Sequence, residues 1–203
     1  MRRVIILALL ALVLPIAASA SGIDLTNQFG SISISAAGIS SVGSQLKIFN
    51  GITAAPGHSL GSVSFATGVC LTNCSNFLAG NSTFSDVGSS FVVVGKGNGG
   101  QPKGTIFTGS FVGPISWTLV SKVGGTFTYS ITGAIKGMLY TGRIVTGTTT
   151  QIIYSASGQI SQGIGHIRMG NTHLVVPEPG TLGLLGTGLV GIAGLFRRKF
   201  LAE

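Results

Sequence analysis

Gly57-His58-Ser59-Leu60-Gly61 has the G-x-S-x-G spacing that, on a strand–turn–helix elbow, exposes a nucleophilic serine. Asp86 and then His166 or His173 follow in the chain order such a triad can use. The flanks argue against an elbow. Ala54-Ala55-Pro56 precedes the motif, and Ser62-Val63-Ser64-Phe65-Ala66 after it alternates like a strand. The motif therefore reads as a Gly-Ser turn. Gly95-Lys96-Gly97-Asn98-Gly99-Gly100 fits G-x-G-x-x-G after a strand-like run, Phe91 to Val94. A dinucleotide site needs a helix to follow, whose N-terminus holds the pyrophosphate, and an acid about 20 residues on. Here Gln101-Pro102-Lys103-Gly104 follows, and no acid occurs between Asp86 and Glu178. The glycines read as a hairpin loop.

Paired carboxylates for glycoside hydrolysis reduce to Asp24 and Asp86, and Asp24 stands near the start of the expected mature chain, a poor place for a rigid acid. His166, Arg168 and His173 cluster in sequence, which suits a solvated edge strand better than a metal or anion site, because zinc needs three or four ligands. Cys70 and Cys74 bracket three residues. In an oxidising compartment they are expected to form a local disulfide, with free thiols the alternative. No strand pattern covers them, so 68–82 is expected to be a loop. No catalytic residue, metal or cofactor is expected.

The elements that would have to position these groups are β-strands. The chain has 203 residues, 33 of them glycine, with 8% charged residues and a net charge of +8. An average soluble domain is roughly 25% charged. Four carboxylates leave little for acid–base or hard-metal chemistry. Between residues 21 and 176 there are 27 Gly and 22 Ser, yet Leu, Ile, Val and Phe still supply 46 of the 156 positions. That is enough apolar material to bury a core. Ile and Val outnumber Leu by 29 to 8, which favours pleated surfaces. Ser31-Ile32-Ser33-Ile34-Ser35 and Phe127-Thr128-Tyr129-Ser130-Ile131 alternate with period two.

Strands are expected at 31–36, 44–49, 61–66, 90–94, 104–112, 115–121, 126–133, 135–145, 150–156 and 164–169. Gly124-Gly125 suits a two-residue hairpin. Gly133 and Gly147 read as turn punctuation, and Lys122 and Lys136 as charges beside turns that deter edge pairing. Thr-Gly pairs recur without a fixed period, which excludes a solenoid or propeller. The expected fold is all-β, an antiparallel sandwich or jelly-roll-like domain. Trp117, Tyr129, Tyr140 and Tyr154 sit in strand patterns, where they fill a core or, alternatively, offer sugars a stacking platform. Seven dispersed bases against two acids show no nucleic-acid footprint, and suit weak attraction to anionic polysaccharide.

Both ends read as addresses. Arg2 and Arg3 precede an apolar stretch from Val4 to Leu14, and Ala18-Ser19-Ala20 fits the A-x-A rule. This predicts a signal helix over 1–20 with cleavage after Ala20. At the other end, Pro177-Glu178-Pro179-Gly180 precedes an uncharged run over 181–196, capped by Arg197, Arg198 and Lys199. The prolines insulate the upstream domain from the apolar span, and the basic cluster holds the tail at the cytoplasmic side of a membrane.

Val-Pro-Glu-Pro-Gly-Thr, the Gly/Leu-rich span and Arg-Arg-Lys together resemble the PEP-CTERM sorting signal of Gram-negative bacteria over residues 177–203. The resemblance implies recognition of Pro177, Glu178 and Pro179 by exosortase, an integral-membrane cysteine protease or transpeptidase. It implies a transient exosortase partner, and a transmembrane sorting helix that anchors the precursor in the inner membrane before the protein reaches the cell surface or medium. It also implies association with exopolysaccharide or biofilm. The expected function is that of a non-enzymatic surface or matrix protein. A carbohydrate-binding module and a secreted serine hydrolase using Ser59 are the alternatives.

Overall fold

The computed structural model describes residues 22–176, and these form one compact unit. The expected signal segment with Ala18 and Ala20, the motif Pro177, Glu178 and Pro179, the span over 181–196 and the cluster Arg197, Arg198 and Lys199 lie outside the described residues.

Thirteen strands are present: β1 (Gly22–Gln28), β2 (Ser31–Ser35), β3 (Gly38–Val42), β4 (Ser44–Phe49), β5 (Ile52–Thr53), β6 (Gly61–Ala66), β7 (Cys70–Thr72), β8 (Asn81–Phe84), β9 (Ser90–Lys96), β10 (Lys103–Val123), β11 (Thr126–Leu139), β12 (Ile144–Ala156) and β13 (Ile164–Val175). One short helix, α1 (Ser157–Ser161), and a 3-10 turn, Phe77–Ala79, complete the described residues.

The fold is a closed barrel of eight antiparallel staves, not the expected sandwich or jelly roll. Four staves are each made of two collinear strands: β1 with β2, β3 with β4, β6 with β7, and β8 with β9. The other four are the long strands β10 to β13. Each stave pairs with the next in the chain, and β13 returns to both β1 and β2 to close the ring. Closure removes the unpaired edges that a sandwich leaves, so lysines are not needed as edge guards. Lys136 lies inside β11, away from any turn.

The broken staves have a local cause. Phe29 and Gly30, with φ of 63° and 87°, separate β1 from β2. A Cβ on Gly30 would fall 2.6 Å from the backbone nitrogen of Ser44, so only glycine allows the facing stave so close. The break also switches the inward positions from odd (Leu25, Asn27) to even (Ile32, Ile34). That parity change hides β1 from a reading based on strict alternation. Gly133 and Gly147 are interior strand residues rather than turns. A Cβ on Gly133 would strike the Phe111 ring at 2.6 Å, and one on Gly147 the His173 carbonyl oxygen at 2.0 Å. The expected breaks at 113–114 and 133 therefore disappear into single strands of 21 and 14 residues. Gly124-Gly125 does form the hairpin turn, with φ of 56° and 80°.

Eight staves leave an interior just wide enough for side chains to fill. Phe65, Phe91, Phe107 and Phe111 pack ring on ring at centroid separations of 6.0–6.3 Å. Each such buried ring stabilises the fold by about 1.5–3 kcal/mol. The barrel also buries a polar chain. Asn27 Nδ2 donates to Ser44 Oγ (2.7 Å) and Gln151 Oε1 (2.8 Å), and Gln151 Nε2 donates to Thr149 Oγ1 (2.9 Å). Thr149 and Thr172 share a further bond of 2.8 Å. Each polar side chain in this chain has a partner, as burial requires.

Candidate functional site

Strand direction assigns the connections to two ends. The segments 36–37, 73–80, 124–125 and 157–163 lie at one end, here called the closed end. The segments 50–60, 97–102 and 140–143 lie at the other, together with Gly22 and Val176. Gly22 is the register partner of Val175, so the chain enters and leaves the barrel on neighbouring staves at one rim. Val176 is buried in the core, so the barrel packs up to the residue before Pro177.

This seam carries the shortest acid–base contact among the described residues. His173 Nδ1 and Asp24 Oδ1 are 2.6 Å apart, and both side chains are more than half exposed. A Cβ on Gly22 would fall 2.8 Å from the His173 ring, so the imidazole covers the first barrel residue. Asp24 is thus a strand residue with a partner, not the loose terminal acid the sequence suggested. Nothing local in the sequence pairs positions 149 residues apart; barrel closure does.

The other chemistry-bearing groups are dispersed. Ser59 is buried at the rim opposite the closed end, and its Oγ accepts from Lys96 Nζ at 2.6 Å. Its neighbour in the motif, His58, is exposed, and the His58 carbonyl accepts from Lys47 Nζ. Asp86 lies between β8 and β9, where its Oδ2 accepts from the Gly113 amide at 2.8 Å. His166 is at the far end of β13 from His173, about 23 Å along the strand. Ser59, Asp86 and a histidine are therefore not brought together. His166, Arg168 and His173 do not form a cluster either. Arg168 lies over the Tyr154 ring, 4.9 Å from its centroid, while His173 faces Asp24. The run 97–102 is the connection from β9 to β10, with no helix after it. Among the described residues, no group of three His, Cys, Asp or Glu is placed to hold a metal ion. No described helix is long and apolar enough to cross a membrane.

The closed end is tied down by a plug. Cys70 and Cys74 are joined by a disulfide, and Cys70 belongs to β7, so 68–82 is not wholly a loop. Trp117 Nε1 donates to the Phe77 carbonyl (2.8 Å), and the Tyr129 hydroxyl to the Leu78 carbonyl (3.0 Å). Burial pushes the Tyr129 phenol up to about 12. Trp117 and Tyr129 are fully buried, so neither can stack on a sugar outside the barrel. Tyr140 is exposed and Tyr154 lies half-buried under Arg168. The coplanar aromatic platform that a stacking sugar site needs is not assembled from these four.

Residues 175–199 match the PEP-CTERM protein-sorting motif. No curated protein and no solved structure matches the chain. The motif implies exosortase-dependent sorting of an exported, membrane-processed protein. The match begins at Val175, the last residue of β13, so the matched segment overlaps the final barrel strand in sequence.

Proposed function

We propose that this chain is a non-enzymatic surface or matrix protein, a small closed barrel that exosortase processing delivers to the cell exterior, where it accompanies exopolysaccharide. The observation that carries the reading is the sorting motif starting on the final barrel strand, which pairs with β1. A structural rather than catalytic role is supported by the dispersal of Ser59, Asp86, His166 and His173 and by a core filled with side chains. The expected path is an inner-membrane-anchored precursor, cleavage near Pro177-Glu178-Pro179, and release or re-anchoring at the surface. In a host with exosortase, replacing Pro177, Glu178 and Pro179 with Ala should leave a larger species in the inner membrane. Normal processing and export of that triple variant would overturn the assignment.

A further inference from the structure

The charges of the barrel are dispersed in sequence but fall unevenly between its two ends. Seven basic residues lie within 22–176. Lys47 is in the last turn-ward half of β4, Lys96 ends β9, Lys103 begins β10, and Arg143 directly precedes β12. All four are at the rim where the chain enters and leaves. Lys136, three residues before the end of β11, is on the same half. The opposite half has Lys122 beside the Gly124-Gly125 hairpin and Arg168. The barrel has two acids: Asp24, near this rim, is engaged by His173, and Asp86, away from it, by the Gly113 amide. On this half five bases, Lys47, Lys96, Lys103, Lys136 and Arg143, therefore face one carboxylate, Asp24.

Apolar side chains stand among these bases. Tyr140, Ile144 and Met138 are 55%, 60% and 49% exposed at the β11–β12 connection, beside Arg143 and Lys136. Basic groups next to an exposed aromatic and aliphatic cluster are the composition that binds the interface of an anionic bilayer. The chain itself limits where this rim can go. Four residues, 177–180, separate Val176 from the uncharged run at 181–196. Extended, they reach about 14 Å at most.

From this juxtaposition we propose that the rim where the chain enters and leaves the barrel is a docking surface for anionic phospholipid. Lys96, Lys103, Lys136 and Arg143 meet the headgroups, while Tyr140 and Ile144 enter the interface. The rim then holds the precursor against the membrane while its tail is processed, with the disulfide-tied end facing away. The proposal rests on the sorting reading for the membrane's position, but not for its measurement.

The test uses fragment 22–176, which closes its own ring through the pairing of β13 with β1 and β2, so that the tail contributes nothing. In flotation at low salt, it should rise with phosphatidylcholine vesicles containing a quarter phosphatidylglycerol and stay behind with phosphatidylcholine alone. Raising salt to 1 M shortens the screening length to about 3 Å and should abolish flotation. Lys103→Glu/Lys136→Glu/Arg143→Glu should cut the bound fraction at least tenfold, and Lys122→Glu/Arg168→Glu should leave it within twofold. Equal flotation with neutral vesicles, or no flotation, would overturn the proposal. So would retention on an anionic polysaccharide without vesicle binding. The vesicle and salt arms need no substitution, so they decide the matter even if a variant fails to fold. Failure here would leave the Pro-Glu-Pro result untouched, and the reverse holds.

Discussion

Trp117 and Tyr129 stack with ring centroids 4.4 Å apart, and each donates a hydrogen bond to a neighbouring carbonyl of one turn, Phe77–Ala79. Two adjacent staves thereby hold the plug of the closed end. The stack supplies apolar burial, and the two donors fix where the turn sits.

This arrangement predicts an alkaline weakness. An unfolded tyrosine ionises near 10, whereas the Tyr129 phenol in the barrel does so at about 12. Between those values the unfolded state holds fewer protons, so stability falls as pH rises. Tyr129→Phe should cost about 1 kcal/mol at pH 7 through the lost bond to Leu78. It should also flatten the decline between pH 10 and 12. Urea titrations of parent and variant across that range would show it. Parallel pH profiles would mean the phenol is not the group responsible.

The disulfide should matter locally. Cys70 and Cys74 close a loop of five residues, for which chain entropy gives an upper bound of about 2 kcal/mol. Cys70→Ala/Cys74→Ala should lower the urea midpoint modestly while the far-UV spectrum stays β-rich. Global unfolding on reduction alone would show that the plug, not the wall, holds the barrel closed.

Gly170 lies under the Gln151 amide, and a Cβ there would fall 2.0 Å from Gln151 Oε1. Gly170→Ala should force Gln151 off Asn27 and cost about 1–3 kcal/mol. Denaturant unfolding measures this, and an unchanged midpoint would mean the amide pair relaxes freely.

Cleavage after Ala20 would leave a single residue, Ser21, before β1 begins at Gly22. N-terminal sequencing of the exported protein should therefore begin at Ser21. A mature chain that starts at Met1 would refute the signal, and a start well inside β1 would remove the strand that closes the barrel.

Much of the wall was legible because alternation is a local property. Ser31 to Ser35 and Phe127 to Ile131 show which faces are wet, and Gly124-Gly125 shows where the chain turns. The sorting signal was equally legible, since Pro177-Glu178-Pro179, an uncharged run and Arg197-Arg198-Lys199 form one contiguous pattern. Strands β1, β3, β5, β7 and β8 were not legible. Gly30 resets the parity between β1 and β2, and β7 is three residues long.

The sequence by itself determined that the chain is β-rich, glycine-turned, poor in acids and addressed for export. Tertiary structure decided between sandwich and barrel. That choice depends on whether β13 pairs with β1 and β2, a contact between the two ends of the domain that no local pattern encodes. The same closure placed Asp24 against His173, set Ser59 beside Lys96 rather than a histidine, and gathered scattered lysines on one rim. Side-chain type is a local fact. Which side chains meet depends on register around a closed ring, and that is settled only when every stave has found its neighbour.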